Sequence, residues 1–313
     1  MVAKKQYPYI TDENAEKLSK EERKSLLRNV KALTVTKLSG ILVNNTDNIV
    51  ITYFNGLITT GVVSNYSLIT NTITSLANQI FTSLSASLGN LNAVGEDEHK
   101  YEVFKALNLA NFWLYGWAAI GMVCLSSDVV ELFFGESYVM ESWVPIILTI
   151  NFYMLGMQCV VGLYKSTMGL FRYGQYVLLF TAVLNLIGDI LLGQLWGVFG
   201  IFLATAIARA LTNTWYEPFV VFKHGFRRKF APYIVRYLLY AGLLAGMGTV
   251  CWTLCKLISF SLIFRIIVKC LICIILPNVA FFLIFRNQPE FQYLRGTASS
   301  LRLKVIGHFK SKI

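Results

Sequence analysis

Charge is what this chain has least of. Asp, Glu, Lys and Arg make up 14% of 313 residues, and 17 residues in all are acidic. An ordinary soluble domain carries about 25% charged residues, so a water-facing surface over most of the chain is excluded. Histidine is scarcer still: His99, His224 and His308 are the three, and none sits in an H-E-x-x-H pair. No G-x-S-x-G elbow and no G-x-x-x-x-G-K-[ST] loop occurs. Zinc-peptidase, α/β-hydrolase and ATP-driven chemistry therefore have no residues to carry them, and the chain reads as a non-enzyme. Residues 1–37 lack the apolar core of a secretory leader, so insertion is expected to rely on internal segments. Proline is rare, at six, which leaves long stretches free to be helical.

What is abundant is apolar surface, with 55% hydrophobic residues and a mean hydropathy of +0.56. That composition belongs to an integral membrane protein. A bilayer core takes about 20 apolar residues per helix. On that ruler the sequence predicts an all-α polytopic protein of eight transmembrane helices, near 38–60, 63–88, 106–126, 143–164, 174–194, 197–222, 233–255 and 266–286.

The net charge of +11 could suggest nucleic acid, but its distribution argues otherwise, and no nucleic-acid partner is expected. Apart from Arg209, Lys256, Arg265 and Lys269, every Lys and Arg falls in 1–37, 89–105, 165–173, 223–236 or from Arg286 onward. With both termini cytoplasmic, all of those segments are inside, which is the positive-inside pattern. The chain then divides into a basic, amphipathic cytoplasmic arm (1–37), a six-helix lobe (38–222), an appended hairpin (223–286) and a basic tail (287–313). Within the arm, Ser19-x-x-Glu22 has the form of a capping box opening a helix with Leu26, Val30 and Leu33 on one face. The hairpin fits the charge rule least well, because Lys256, Arg265 and Lys269 lie at its outer turn and Lys269 has to snorkel.

Cys124, Cys159, Cys251, Cys255, Cys270 and Cys273 all lie within or at the ends of apolar runs. Cys251-x3-Cys255 and Cys270-x2-Cys273 have metal-like spacing, but no His or carboxylate flanks them. They read as small packing residues, with no metal or cofactor expected.

Polar residues inside the apolar spans carry the functional signal. Asn44, Asn45, Thr46, Asp47 and Asn48 interrupt the first. Ser64, Ser67, Asn71, Ser75, Asn78, Thr82, Ser85 and Gly89 follow at spacings of three or four, which puts them on one helical face. Asp189 shares a face with Asn185 and Thr181. Asp47, Asp189 and Arg209 each cost roughly 2.5–3.5 kcal/mol at the centre of a bilayer, so each must face protein or water. Two readings stand for the carboxylates, a lined cavity or a buried structural network. Arg209 likewise either grips an anionic head group through its planar fork or neutralises Asp189 on the neighbouring span.

The run Leu26-Leu-Arg-Asn-Val-Lys-Ala-Leu, then Lys37-Leu-Ser-Gly, Asn45-Thr-Asp-Asn-Ile-Val-Ile and Val63-Ser-Asn-Tyr-Ser, together with Phe134-Gly-Glu-Ser-Tyr, resembles the second half of Wzx-type polysaccharide flippases. These belong to the multidrug/oligosaccharidyl-lipid/polysaccharide exporter superfamily, and the resemblance covers helices seven to fourteen. It implies one lobe plus an added helix pair in a bacterial cytoplasmic membrane, moving undecaprenyl-diphosphate-linked oligosaccharide between leaflets. The amino-terminal lobe would come from a separate chain or a second copy. Asn44, Asp47, Asn48, Asn71, Asn78, Asp189 and Arg209 would line the substrate cavity, with Arg209 on the diphosphate. A cation-coupled exporter of the same superfamily, using Asp47 or Asp189 for coupling, and a non-transporting remnant are the competing expectations.

Overall fold

The computed structural model describes residues 19–310, the side chains of 43–45 and 301–310 excepted. The first 18 residues of the predicted arm and the side chains of Asn44 and His308 therefore lie outside the described residues. Those described are helical, with no strand among them.

The first helix, α1 (Lys20–Thr82), begins at the predicted capping box. Ser19 Oγ accepts from the Glu22 amide at 3.2 Å, and Glu22 Oε2 accepts from the Ser19 amide at 2.8 Å. Burial of the Glu22 carboxylate is slight, and these Ser19 bonds hold its pKa below the usual range. No break marks the expected boundary at residue 37; the same helix runs on to residue 55. There it reverses. Gly56 has φ 82° and ψ 166°, a backbone conformation open to glycine and strained for other residues. The Thr52 and Thr60 hydroxyls are 2.9 Å apart, whereas eight residues of straight helix would separate them by about 12 Å. Residues 57–82 thus fold back along 20–55, and α2 (Ser85–Val94) continues them.

The same device recurs downstream. After α3 (Asp97–Phe134) and α4 (Trp143–Thr167), α5 (Val177–Leu211) breaks at Trp196 and Gly197, where Gly197 has φ 55° and ψ −136°. Asn185 Nδ2 donates to Thr205 Oγ1 at 3.0 Å, and the Thr181 and Thr212 hydroxyls are 2.7 Å apart. Both contacts require 177–195 and 198–211 to lie antiparallel. A side chain on Gly188 would stand 2.9 Å from Ala204 Cβ, and one on Gly193 would stand 2.9 Å from Ile201 Cγ1. These glycines let the two arms touch backbone to backbone.

The two hairpins sit side by side. A Cβ on Gly40 would lie 3.6 Å from Leu178, Thr46 reaches Asn185, and Phe54 and Asn55 approach Gly193 and Gly197. Residues 40–55 and 178–197 therefore run alongside in the same direction and turn at the same end. α4 threads between this pair and α3. Gly156 of α4 lies flat under the Tyr115 ring, and Asn111 Nδ2 donates to the Gly156 carbonyl at 3.1 Å.

After α6 (Asn213–Val220) and a π-helical turn (Val221–Phe226), α7 (Ala231–Lys256) and α8 (Leu262–Phe285) dock on α3. Phe112 stacks on Tyr240 with ring centroids 4.2 Å apart, and Trp113 Nε1 donates to Asn278 Oδ1 at 2.7 Å. Two of the hairpin's three awkward cations have partners on α3, and the third, Lys256, lies over the Trp252 ring of its own helix. Lys269 Nζ lies 2.5 Å from Asp128 Oδ2, and Arg265 reaches Asp128 at 3.0 Å and Glu131 at 2.5 Å. Ion pairing thus replaces the expected snorkelling, since an unpaired ammonium at that depth would be costly. The remaining faces of α7 and α8 are apolar and exposed, with Leu238, Leu239, Ile263 and Ile267 all more than half accessible.

The basic tail starts as a docked helix. α9 (Pro289–Lys310) stacks Phe291 on Trp113, and its Glu290 Oε1 accepts from Arg236 Nη1 at 2.7 Å. Burial works against the Glu290 carboxylate, but the bond from Arg236, its own backbone amide and the charges of Arg236 and Lys105 outweigh it, so its pKa is depressed.

Among the described residues, five helical stretches are long and apolar enough to cross a membrane: α3, α4, Val177–Phe226, α7 and α8. The chain is an all-α, polytopic membrane protein.

Candidate functional site

At mid-length of the two hairpins, a polar cluster is closed in on every side. Asp189, Asn185 and Thr181 have no accessible surface, and Thr205, Asp47, Asn151 and Arg209 have less than a tenth of theirs. Residues 20–55, α4 and both arms of α5 contribute. The i, i+4 spacing of Asn185 and Asp189 puts both on one face, where Asn185 Nδ2 donates to Asp189 Oδ1 at 2.9 Å. Thr205 Oγ1, across the hairpin, donates to Asp47 Oδ2 at 3.2 Å, and Thr46 Oγ1 stands 3.5 Å from Asn185 Oδ1.

The carboxyl groups of Asp47 and Asp189 come within hydrogen-bonding range of each other. Two carboxylates that close cannot both stay charged without a proton or a cation between them. Asp47 Oδ1 and Asp189 Oδ2 receive no hydrogen bond from any described residue. The oxygens around the gap come from two carboxyl groups and the Thr205 hydroxyl, with the Ile201 carbonyl 3.3 Å from that hydroxyl, while Asn185 turns its Nδ2 toward Asp189 and Thr205. Such a donor set suits a proton or a hard cation and does not suit a soft metal.

Arg209 lies one turn beyond Thr205 on the same face. Its Nη1 donates to the Asn151 carbonyl at 3.4 Å, and its charge is close enough to act on Asp47. No ion pair within 4.0 Å joins it to Asp189, so the expected neutralising pair with Asp189 is not the arrangement adopted. Asn151 is itself fixed by bonds from its Nδ2 to the Phe202 and Ile147 carbonyls, at 2.8 and 3.2 Å.

The expected cavity residues thus divide. Asp47, Asp189 and Arg209 come together, joined by Asn185, Thr205 and Asn151, which were not among the expected seven. Thr205 could have been found from its position four residues before Arg209. Asn151 carries no such signal beyond being polar within an apolar run. Asn48 and Asn71 are exposed on α1, apart from the cluster. Asn78 packs elsewhere: its Oδ1 accepts from the Tyr115 hydroxyl at 3.1 Å and from Cys159 Sγ at 3.2 Å. Of the polar ladder, Ser64, Asn71, Ser75, Thr82 and Ser85 are exposed, beside Leu68, Leu76 and Ile80.

The cysteines also depart from their spacing. Cys124, Cys255 and Cys273, one each from α3, α7 and α8, are buried with their Sγ atoms within 4.8 Å of one another.

Comparison with protein-family profiles, with curated proteins and with solved structures gave no match. What fold and cluster define is a class, a helical membrane protein with a buried ionisable centre between two side-by-side hairpins.

Proposed function

We propose that this chain is one lobe of a gradient-driven transporter that moves a lipid-linked oligosaccharide, of the polyprenyl-diphosphate kind, across a bacterial cytoplasmic membrane. The observation that carries the reading is the buried set Asp47, Asn185, Asp189, Thr205 and Arg209. Two carboxyls and a guanidinium buried inside a membrane bundle are costly to keep for packing alone, and such groups mark ion and substrate paths. Eight spans with both ends cytoplasmic follow if the reversals at Gly56 and Gly197 are outer turns. The arms 38–55 and 57–82 then count as spans, although their Ser, Thr and Asn content keeps them less apolar than the five.

In this scheme the carboxyl pair takes up a proton or a monovalent cation from the gradient. Occupancy removes the repulsion between Asp47 and Asp189 and lets the hairpins close on each other. Release restores the repulsion and opens them, so ion occupancy biases two packings of one bundle. Arg209, coupled to Asp47, senses the same event and presents its fork to the diphosphate. The exposed Ser64–Ser85 face of α1 and α2 supplies hydroxyls and amides for the glycan. That face needs a second wall, from a separate lobe or a second copy of the chain.

The test is accumulation of lipid-linked repeat units in a strain lacking the gene. Restoration by the parent, retention of part of that activity by Arg209→Lys and loss of at least about tenfold with Arg209→Ala, some 1.4 kcal/mol or more, is the expected result. Equal restoration by Arg209→Ala removes Arg209 from the site. Unchanged glycan with altered efflux of cationic dyes would instead favour a cation-coupled exporter, for which the Asp47–Asp189 pair is the coupling site.

A further inference from the structure

We propose that Cys124, Cys255 and Cys273 form a three-thiolate site for a copper(I) ion, which ties the appended α7–α8 pair to α3. The three sulfurs come from three different helices and are all buried. A triangle with edges of 4.8 Å, the upper limit of their separations, has its centre about 2.8 Å from each corner. Thiolate–metal bonds are about 2.3 Å, so each sulfur has to move inward by no more than about half an ångström. A rotation about χ1 achieves that without moving a helix.

The chemistry of the surroundings selects the ion. Soft thiolates prefer copper(I) or zinc(II), and zinc in structural sites takes four ligands. Among the described residues no fourth His, Cys, Asp or Glu donor joins the three. The nearest carboxylate along α3, Asp128, is held by Lys269 and Arg265. A trigonal site without a fourth donor suits a monovalent d10 ion. A cavity of about 160 Å³ leads to Cys124 and Cys255 past Ser127, Ser142, Lys256 and Lys269. It supplies an entry path, and the Lys256 ammonium on its wall offsets part of the negative charge of the thiolates, Lys269 being paired with Asp128. On binding, three S–Cu bonds form, and the three displaced thiol protons leave to water through the same cavity.

The experiment uses the full chain, purified in detergent with reductant and stripped of metal, and titrated with copper(I) against a chromophoric copper(I) chelator. One equivalent should bind. C159S/C270S, which alters two of the three cysteines outside the triad, should bind equally well, and C255S and C273S should each bind at least tenfold more weakly. Maleimide labelling with peptide mass mapping provides a readout independent of variant folding: copper(I) should protect Cys124, Cys255 and Cys273 in the parent chain. Protection of other cysteines, no copper(I) uptake, zinc(II) uptake in its place, or a Cys255–Cys273 disulfide that forms instead of a complex would each overturn the assignment.

Discussion

Removing Asp128 should loosen the appended hairpin, and the size of the effect can be worked from its neighbours. Lys269 sits two turns into α8 with its side chain 13% exposed, and Asp128 opposite is 9% exposed. The pair is desolvated, so its loss does not follow the surface rule of 0–1 kcal/mol. Breaking a buried pair by deleting one partner costs about 3–5 kcal/mol, because the survivor is left charged and unmatched. Arg265 keeps Glu131 at 2.5 Å, so the penalty falls on Lys269 and the lower end of that range is expected. Asp128→Asn should therefore destabilise by about 3 kcal/mol, roughly a 150-fold change in the unfolding equilibrium. Replacing both members, Asp128→Asn with Lys269→Met, removes the stranded charge and should recover most of the loss, as apolar replacements of buried pairs do. The assay is reversible unfolding in mixed micelles, followed by circular dichroism over the full double-mutant cycle. A double variant as unstable as Asp128→Asn alone, or a single variant within about 0.5 kcal/mol of the parent, would show that the pair does not hold the hairpin.

Two further perturbations probe the packing. Gly156→Ala places a methyl 2.0 Å from Tyr115 Cδ1 and 2.4 Å from Cε1, so the ring must leave its buried slot between α3 and α4. A loss of about 1–3 kcal/mol is expected, and Tyr115→Ala in the same chain should absorb most of the clash, which thermal unfolding will show as non-additivity. The Glu290 carboxylate has a depressed pKa in the folded chain. Its contribution is complete above the ordinary glutamate value of about 4.3 and is lost as pH falls through the lower folded value. Hydrogen exchange of α9 amides should therefore stay protected from neutral pH down to that value and open below it, and Glu290→Gln should abolish this acid dependence.

The sequence is legible where apolar length and end signals agree. The expected spans at 143–164 and 233–255 lie inside α4 and α7 to within a few residues, and Ser19-x-x-Glu22 starts α1 as the capping rule requires. The third span, expected at 106–126, belongs to a helix from Asp97 to Phe134, because Glu98, Lys100 and Glu102 fail an apolar test yet favour helix. The first reversal was expected after residue 60 and occurs at Gly56. Gly56 and Gly61 are the same residue in similar surroundings, and only the backbone angle of Gly56 distinguishes them. Within the site, the spacing of Asn185 and Asp189 placed them on one face, but their partner Thr205 depends on the hairpin turning at Gly197. Periodicity also gave Asn71 and Asn78 a common face without saying what stands opposite, and that missing neighbour separates one from the other. The thiol triad was hidden for the same reason, since its members come from three helices whose order in space no local spacing records.

Under the proposed function, the Asp47–Asp189 pair couples an ion gradient to movement of a lipid-linked glycan. The most direct test is transbilayer movement of a fluorescent polyprenyl-diphosphate oligosaccharide in proteoliposomes holding the chain, with any partner lobe it needs, under an imposed sodium or proton gradient. Asp189→Asn keeps the size of the side chain and its bond from Asn185 but removes the second charge. Movement that depends on the gradient in the parent and loses that dependence in Asp189→Asn, with the fold intact, is the predicted result. Movement equally responsive to the gradient in both would show that the carboxyl pair is not the coupling site.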